Sequence, residues 1–400
     1  MSFNLASPKF KANAYPIYAQ LRAEAPVCRV ALPDKRVAWL VTRYDDVLAA
    51  LRDERLIRNV RKAMPPEQQK KQPWVPGIFR PLGHVMTHVD GADHQRLRAL
   101  VQQAFTPRMV ERMRARAEQV SNQLLDAAQP SGRMDLIREY AMPLPATIIA
   151  EILGVPAADR RAFQRWTKAL ISASESPLFA LRALPPIVAF LRYIRKLVRE
   201  RRSTPADDLV TALVRAEEAG DKLSEDELLA MIFLLLVAGY ETTVNLIGNG
   251  TLALLQHPEQ LAKLRAEPAL AASAVEELLR YANPVGTTTD RYAREELSIA
   301  DTVIPRGALV ILALASANRD EGQFVNPDRL DITRAPNKHL SFGWGAHYCV
   351  GAPLARLEGQ IAITTLLRRC PALRLAAAAS LLRWRPGLEM NGLEALPVGI

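Results

Sequence analysis

The chain has 400 residues, 49% of them hydrophobic, which is ample for a large core, and a formal net charge of +10. Three cysteines, Cys28, Cys349 and Cys370, do not make a disulfide framework or a zinc set, and a reducing cytoplasm is the simplest setting for them. The opening residues, MSFNLASPKFKANAYPIY, hold no apolar signal region, and the aliphatic run Met231–Ala238 is too short to span a bilayer, so no signal peptide or membrane anchor is expected. Basic residues crowd Arg108–Arg116 and Arg192–Arg202. Aromatic residues are not interleaved with them as in a single-strand binder, and no groove-reading motif is present, which argues against nucleic acid.

In chain order, Tyr15–Glu24 reads as a short helix. Val27–Leu32 and Arg36–Thr42 are β-rich runs around Pro33-Asp34, a hairpin signal. Tyr44–Arg52 returns to helical spacing. Arg58–Thr87 holds five prolines and has no clear period. Such a long loop is usually functional or disordered, but Trp74, Val75, Ile78, Phe79, Leu82 and Val85 argue against full disorder. A mobile lid over an apolar pocket fits both facts. Asp93–Phe105 is a helix on which His94 and Arg98, four apart, share a face suited to a carboxylate.

From Pro107 to Gly220 the pattern is helical, with breaks expected near Pro130, Pro143, Pro156, Pro177 and Pro185-Pro186. Ser172–Pro186 is an apolar, proline-punctuated connection, either a pocket wall or ordinary helix packing. Ser224–Glu227 is a capping box that opens a long apolar helix to about Gln256. Within it stands AGYETT, Ala238–Thr243. Glu241 is costly in such a helix unless paired or solvated. Ala238 and Gly239 remove bulk at the same turn, and Thr242 can bond the carbonyl one turn back. Tyr240 is expected merely to pack. Ala271–Tyr281 carries Glu277 and Arg280 at helical spacing. Asn283–Arg291 is a non-helical connector whose Val285–Thr289 stretch could face a ligand. Leu297–Ile304 and Ala308–Leu314 read as strands around the turn Pro305-Arg306-Gly307, and Leu388–Val398 as a hairpin with its tip near Met390.

The most informative stretch is SFGWGAHYCVGAPLAR, Ser341–Arg356. Three glycines, Gly343, Gly345 and Gly351, let the backbone turn tightly around Cys349. Ala352–Arg369 is helical, so Cys349 lies just before a helix start, where N–H groups and the positive dipole end favour a thiolate. A lone thiolate in such a turn suits a metal cofactor needing one protein ligand. Haem is the obvious case.

This stretch resembles the cytochrome P450 signature, Phe-Gly-x-Gly-x-x-x-Cys-x-Gly, and fulfils every fixed position. The resemblance implies a mainly α fold with small β-sheets, one domain over residues 1–400, with β-rich portions near 27–42, 297–314 and 388–398. Haem b (iron protoporphyrin IX), ligated by the Cys349 thiolate, would lie between the Glu241 helix and the helix after Cys349, beside Phe342, Gly343, Gly351 and Ala238. His94, Arg98, Arg291 and His347 would neutralise its propionates. Ala238 and Gly239 would admit dioxygen, and Glu241 and Thr242 would deliver protons. Glu277, Arg280 and Arg329 match a structural triad that locks the cysteine loop. Trp74, Ile78, Phe79, Val85, Val237, Val285, Thr287 and Met390 are pocket candidates. Where the family commonly has arginine before Gly392-Leu393, this chain has Asn391.

The resemblance further implies a bacterial monooxygenase acting with O2, fed by an acidic ferredoxin and its reductase, working as a cytoplasmic monomer. Its substrate would be a hydrophobic small molecule of polyketide, macrolide, fatty acyl, terpenoid or steroid type. The Arg108–Arg116 run is then either a donor-docking face or a solvated helix face. A haem sensor or carrier would need the cysteine loop but not Glu241-Thr242, and peroxide-driven variants often lack that pair.

Overall fold

The computed structural model describes residues 4–64, 77–160, 162–163, 165–166, 169, 177–218 and 223–400. The N-terminal segment forms α1 (Pro8–Ala12) and α2 (Ala14–Glu24), followed by the hairpin β1 (Val27–Ala31) and β2 (Val37–Val41). Lys35 takes φ +69° in the connecting turn. After α3 (Tyr44–Arg52) and β3 (Leu56–Ile57) comes the proline-rich stretch. Of the expected 58–87 lid, residues 65–76, including Trp74, lie outside the described residues, as do the side chains of Ile78 and Phe79. The described ends are more regular than a loop: helical turns occupy Val60–Ala63, Gly77–His84 and Met86–His88.

The helical layer follows as α4 (Gly91–Ala104), α5 (Pro107–Ala128), the short β4 (Arg133–Asp135), α6 (Pro143–Ile152), α7 (Pro177–Ser203) and α8 (Leu209–Glu218). Residues 172–176 of the expected Ser172–Pro186 connection are outside the described residues. Pro185-Pro186 does not break the chain; both sit inside α7. Proline keeps a helical φ, and the turns beyond it are fixed by Phe190, Leu191, Ile194, Leu197 and Val198, all buried.

The central helix is α9 (Glu225–Gln256). Its capping box is formed: the Ser224 hydroxyl accepts from the Glu227 N–H, and the Glu227 carboxylate accepts from the Ser224 N–H. By length and hydropathy α9 could cross a membrane, but over half of its most apolar window is buried by protein. It packs against α6, against α11 (Ala271–Tyr281), reached through α10 (Pro258–Ala266), and against α12 (Ala352–Arg369), which in turn lies along α5.

The five-stranded sheet runs β1-β2-β8-β5-β3, with β5 Arg291–Ala293 and β8 Leu309–Leu312 and only the β2–β8 pairing parallel. Leu297–Ile304 is not one strand. It folds back on itself as β6 (Leu297–Ile299) and β7 (Thr302–Ile304), because Ala300 adopts φ +48°. The C-terminal hairpin is also shifted. Its arm spans 383–394, closed by Trp384↔Leu393 and by the Arg385 N–H to the Gly392 carbonyl at 2.8 Å. Val398 instead belongs to β10 (Pro397–Gly399), between β4 and β9 (Arg374–Leu375).

Candidate active site

The cysteine loop is shaped by its glycines. Gly343 and Gly345 adopt φ +67° and +73°, and a Cβ on Gly345 would come within 3.1 Å of the Leu51 carbonyl oxygen. The Cys349 N–H donates to the Phe342 carbonyl at 3.0 Å, closing the turn just before α12. Beneath the loop, Arg356 forks onto Glu276 at 2.7 and 2.8 Å, donates to the Tyr348 hydroxyl at 3.2 Å and stacks over Phe342 at 4.5 Å. Ser341 Oγ donates to the Leu279 carbonyl and accepts from Asn318.

The thiol of Cys349 departs from the simple helix-start expectation. Burial pushes its pKa up, while the Gly351 and Ala352 N–H groups, Arg98 and Arg356 pull it down without winning. A coordinated cation deprotonates a thiol outright, so these four groups act as support for a metal rather than as sufficient cause of a thiolate.

The expected triad needs a correction. Glu277 and Arg280 are fully buried and bidentate, both contacts at 2.8 Å. The third side chain is Arg334, 3.1 Å from Glu277, and not Arg329. Arg329 is exposed and contributes only its carbonyl, which accepts from Arg280 and Arg334. Arg334, five residues later, also donates to the Val325 and Asn326 carbonyls, so the intervening turn folds back on its guanidinium.

Above the loop lies a cluster of donors short of acceptors. His94 is 2% exposed with Nε2 unpartnered, and its ring lies 4.0 Å from that of His347. Arg291 is 2% exposed; Nε and Nη2 lack partners, and only Nη1 reaches the Leu56 carbonyl at 3.4 Å. Burial, with Arg58 alongside, pushes Arg291 down to about 9. His347 is pushed down to about 4 by burial, against the pull of Asp90 at 3.7 Å. Burial pushes Arg98 down, with Cys349 acting against that shift. Sequence reasoning missed two members. Arg58 leaves Nε unpartnered and bonds Thr289 Oγ1 through Nη1. Asp90 accepts the Arg58 and Asn59 N–H groups. Neither lies in a motif.

Buried cations short of counter-charge are expensive, several kcal/mol each, and Asp90 is one carboxylate set against both Arg58 and Arg291. The donor set therefore fits a multiply charged anion, and the two carboxylates of a haem meet that need beside a half-buried sulfur.

Across the site, α9 opens one face. Ala238 is exposed and Glu241 and Thr242 are half-buried, although most neighbours further along the helix are buried. Thr242 Oγ1 donates to the Ala238 carbonyl at 2.9 Å, as its position predicts. Glu241 is paired with Arg385 at 3.5 Å, a partner that sequence did not reveal. Tyr240 is buried and its hydroxyl is shifted upward by desolvation. Glu358 on α12, buried against Thr243, is pushed up to about 8 by desolvation.

Of the pocket candidates, Val285 and Met390 are brought together by a β-bridge. Thr287 is buried and donates to the Leu388 carbonyl at 3.2 Å, so its hydroxyl is spent on the fold. Val85 is buried and Val237 half-buried. Asn391, in place of the expected arginine, ties the arm to the connector through its N–H to the Pro284 carbonyl and its side chain to the Asn283 carbonyl.

A family model described as Cytochrome P450 matches residues 26–373. The chain belongs to the cytochrome P450 family. It is 44% identical over 408 residues to the polyketide biosynthesis cytochrome P450 PksS of Bacillus subtilis strain 168, covering 100% of this chain and 99% of that protein. The solved PksS structure superposes with a TM-score of 0.91 over 99% of both chains. The myxobacterial cytochrome P450 CYP267B1, solved with myristic acid, superposes with a TM-score of 0.91 at 43% identity over 98% of each chain. P450BioI, solved with an acyl carrier protein bearing hexadec-9Z-enoic acid, gives 0.88 at 41% identity over 99% of this chain and 100% of that one. The family and the named relatives make this chain an oxidoreductase of the monooxygenase type.

Proposed function

We propose that this cytochrome P450 holds haem b through Cys349 and oxidises a hydrophobic small molecule of the polyketide, macrolide or fatty acyl kind, with terpenoids and steroids as further members of the class. The observation that carries the haem assignment is the set of unpartnered buried donors on His94, Arg58 and Arg291 beside the Cys349 loop. When bound, haem supplies the redox chemistry, and a thiolate ligand favours O–O cleavage. The protein's own residues do the rest. His94, Arg98, Arg291, His347 and Arg58 orient the cofactor through its propionates. Phe342, Gly343 and Gly351 shape the cysteine loop, and Ala238 leaves space over it. Glu241 and Thr242 hold protons at the open face of α9 and pass them inward. Val85, Val237, Val285 and Met390 exclude water around the substrate. The substrate class is supported by the relatives whose names carry polyketide biosynthesis, myristic acid and an acyl-loaded carrier.

Electrons would come from an acidic ferredoxin and its reductase, with the chain working as a cytoplasmic monomer; the free cysteines are compatible with that compartment. Reduced protein under carbon monoxide is expected to show the absorption typical of thiolate ligation, and Cys349→Ser to lose it. A wild-type band typical of histidine ligation would overturn the assignment. Screening myristic acid and macrolides for a shift of the haem spectrum then tests the substrate class.

A further inference from the structure

Lys11 is a lysine that the family motifs do not include. It sits on α1, is 7% exposed, and its ammonium donates to the Met390 carbonyl. We propose that Lys11, together with Arg385, is a positioning residue for the Glu241 carboxylate. The inference rests on the reading of Glu241 as the proton-delivering acid.

A buried ammonium needs compensating charge, and a carbonyl satisfies only one of its three protons. Burial pushes Lys11 down to about 8, with Glu241 acting against that shift and Arg385 adding to it. Arg385 is itself 3.5 Å from Glu241, and their side chains are only 18% and 15% exposed. Arg385 and Glu241 thus meet in a poorly solvated place, and Lys11 holds the arm that carries Arg385 through the Met390 carbonyl. Glu389 is a second carboxyl in the same neighbourhood, pushed up to about 7 by burial with Asp290 and Glu241 adding to the rise.

The backbone explains how α1 comes to act on α9. The 383–394 arm is pinned to the 283–288 connector by the Gly286 N–H to the Glu389 carbonyl at 2.7 Å and the Asn391 N–H to the Pro284 carbonyl at 2.9 Å. On its other side it is pinned to the N-terminal segment, by the Gly387 N–H to the Ala6 carbonyl at 3.0 Å and by Lys11 to Met390. The N-terminal segment therefore straps down the arm that carries Arg385. A contact of 3.5 Å is at the outer limit for a hydrogen bond, so Arg385 restrains Glu241 without locking it. Lys11, held at the Met390 carbonyl, restrains the arm from which Arg385 reaches Glu241.

The test uses the full-length holoenzyme, reconstituted with a ferredoxin and reductase, with myristic acid as the probe substrate. Product formed per reduced nicotinamide consumed is compared for Lys11→Met, Lys11→Arg, Arg385→Gln, Glu241→Gln and Lys11→Met combined with Glu241→Gln. Lys11→Met should lower coupling several-fold, Lys11→Arg should restore most of it, and Lys11→Met should cost nothing further once Glu241 is gone. Lysine Cε NMR gives a readout independent of turnover: Lys11 should titrate near 8, and move lower in Glu241→Gln because the charge that raised it is absent. Full coupling in Lys11→Met while Glu241→Gln uncouples would overturn the positioning role and leave Glu241 as the acid. Full coupling in Glu241→Gln would overturn the underlying reading instead. A Lys11 titration indifferent to Glu241→Gln would overturn the coupling of Lys11 to Glu241 whatever the turnover.

Discussion

Glu241 and Thr242 are neighbours in α9, yet unrelated forces hold them. Thr242 is satisfied within its own helix, at the Ala238 carbonyl, whereas Glu241 is paired with Arg385 from a segment 144 residues away. The same contrast appears below the loop, where Glu276 is held by Arg356 and His339. Burial alone would raise its pKa, but these partners bring it down to about 2. A carboxyl whose folded value lies below its unfolded value of about 4.3 stabilises the fold at higher pH and loses that contribution as pH falls. The loss should run from about pH 4.5 towards pH 2. Glu276→Gln is expected to cost about 2–3 kcal/mol at pH 7 and to flatten the acid limb. Urea unfolding of both proteins across this range, in the same haem state, checks it. A wild-type stability constant over that window would show that Arg356 is held by something else.

At the scale of elements, what could be read from sequence was local. The Ser224 capping box, the β1–β2 hairpin, the helix bearing His94 and Arg98, and the glycine turn around Cys349 each need only residues a few positions apart. The misreadings concern register or distance. A smooth β pattern hid the reversal at Ala300, and Pro185-Pro186 suggested a break that packing overrides. Arg58, Arg334 and Arg385 carry no motif; only the fold brings them to Thr289, Glu277 and Glu241. The triad offers a direct check. Arg334→Ala removes one cation from a fully buried carboxylate and should destabilise by about 2 kcal/mol or more. Arg329→Ala removes an exposed side chain whose carbonyl remains, and should stay within about 0.5 kcal/mol of wild type. Denaturant midpoints that rank the two the other way round would return the role to Arg329.

The net charge of +10 belongs to the whole molecule, and it is spread less simply than composition implies. α5 lies along α12, the helix that begins at the cysteine loop, with Asn122 and Asp126 against Arg369 at its far end, so the basic run before them lies towards the cysteine end. Much of that run is already paired: Arg112 with Asp207 at 3.0 Å, Arg114 with Glu111 at 2.5 Å, and Arg116 with Glu151 at 2.8 Å. Exposed pairs of this kind contribute little to stability and remain able to exchange partners. An acidic ferredoxin could take over Arg112 by displacing Asp207, while Arg116, forked onto Glu151 and less exposed, would stay in place. Charge steering raises the encounter rate without tight affinity and is screened beyond roughly 8 Å at physiological salt. Reduction by the donor should therefore slow as salt rises. Arg112→Glu should slow it a few-fold further and flatten the salt dependence, with the substrate-induced spectral change intact. A reduction rate indifferent to salt and to Arg112→Glu would leave this run as a solvated helix face.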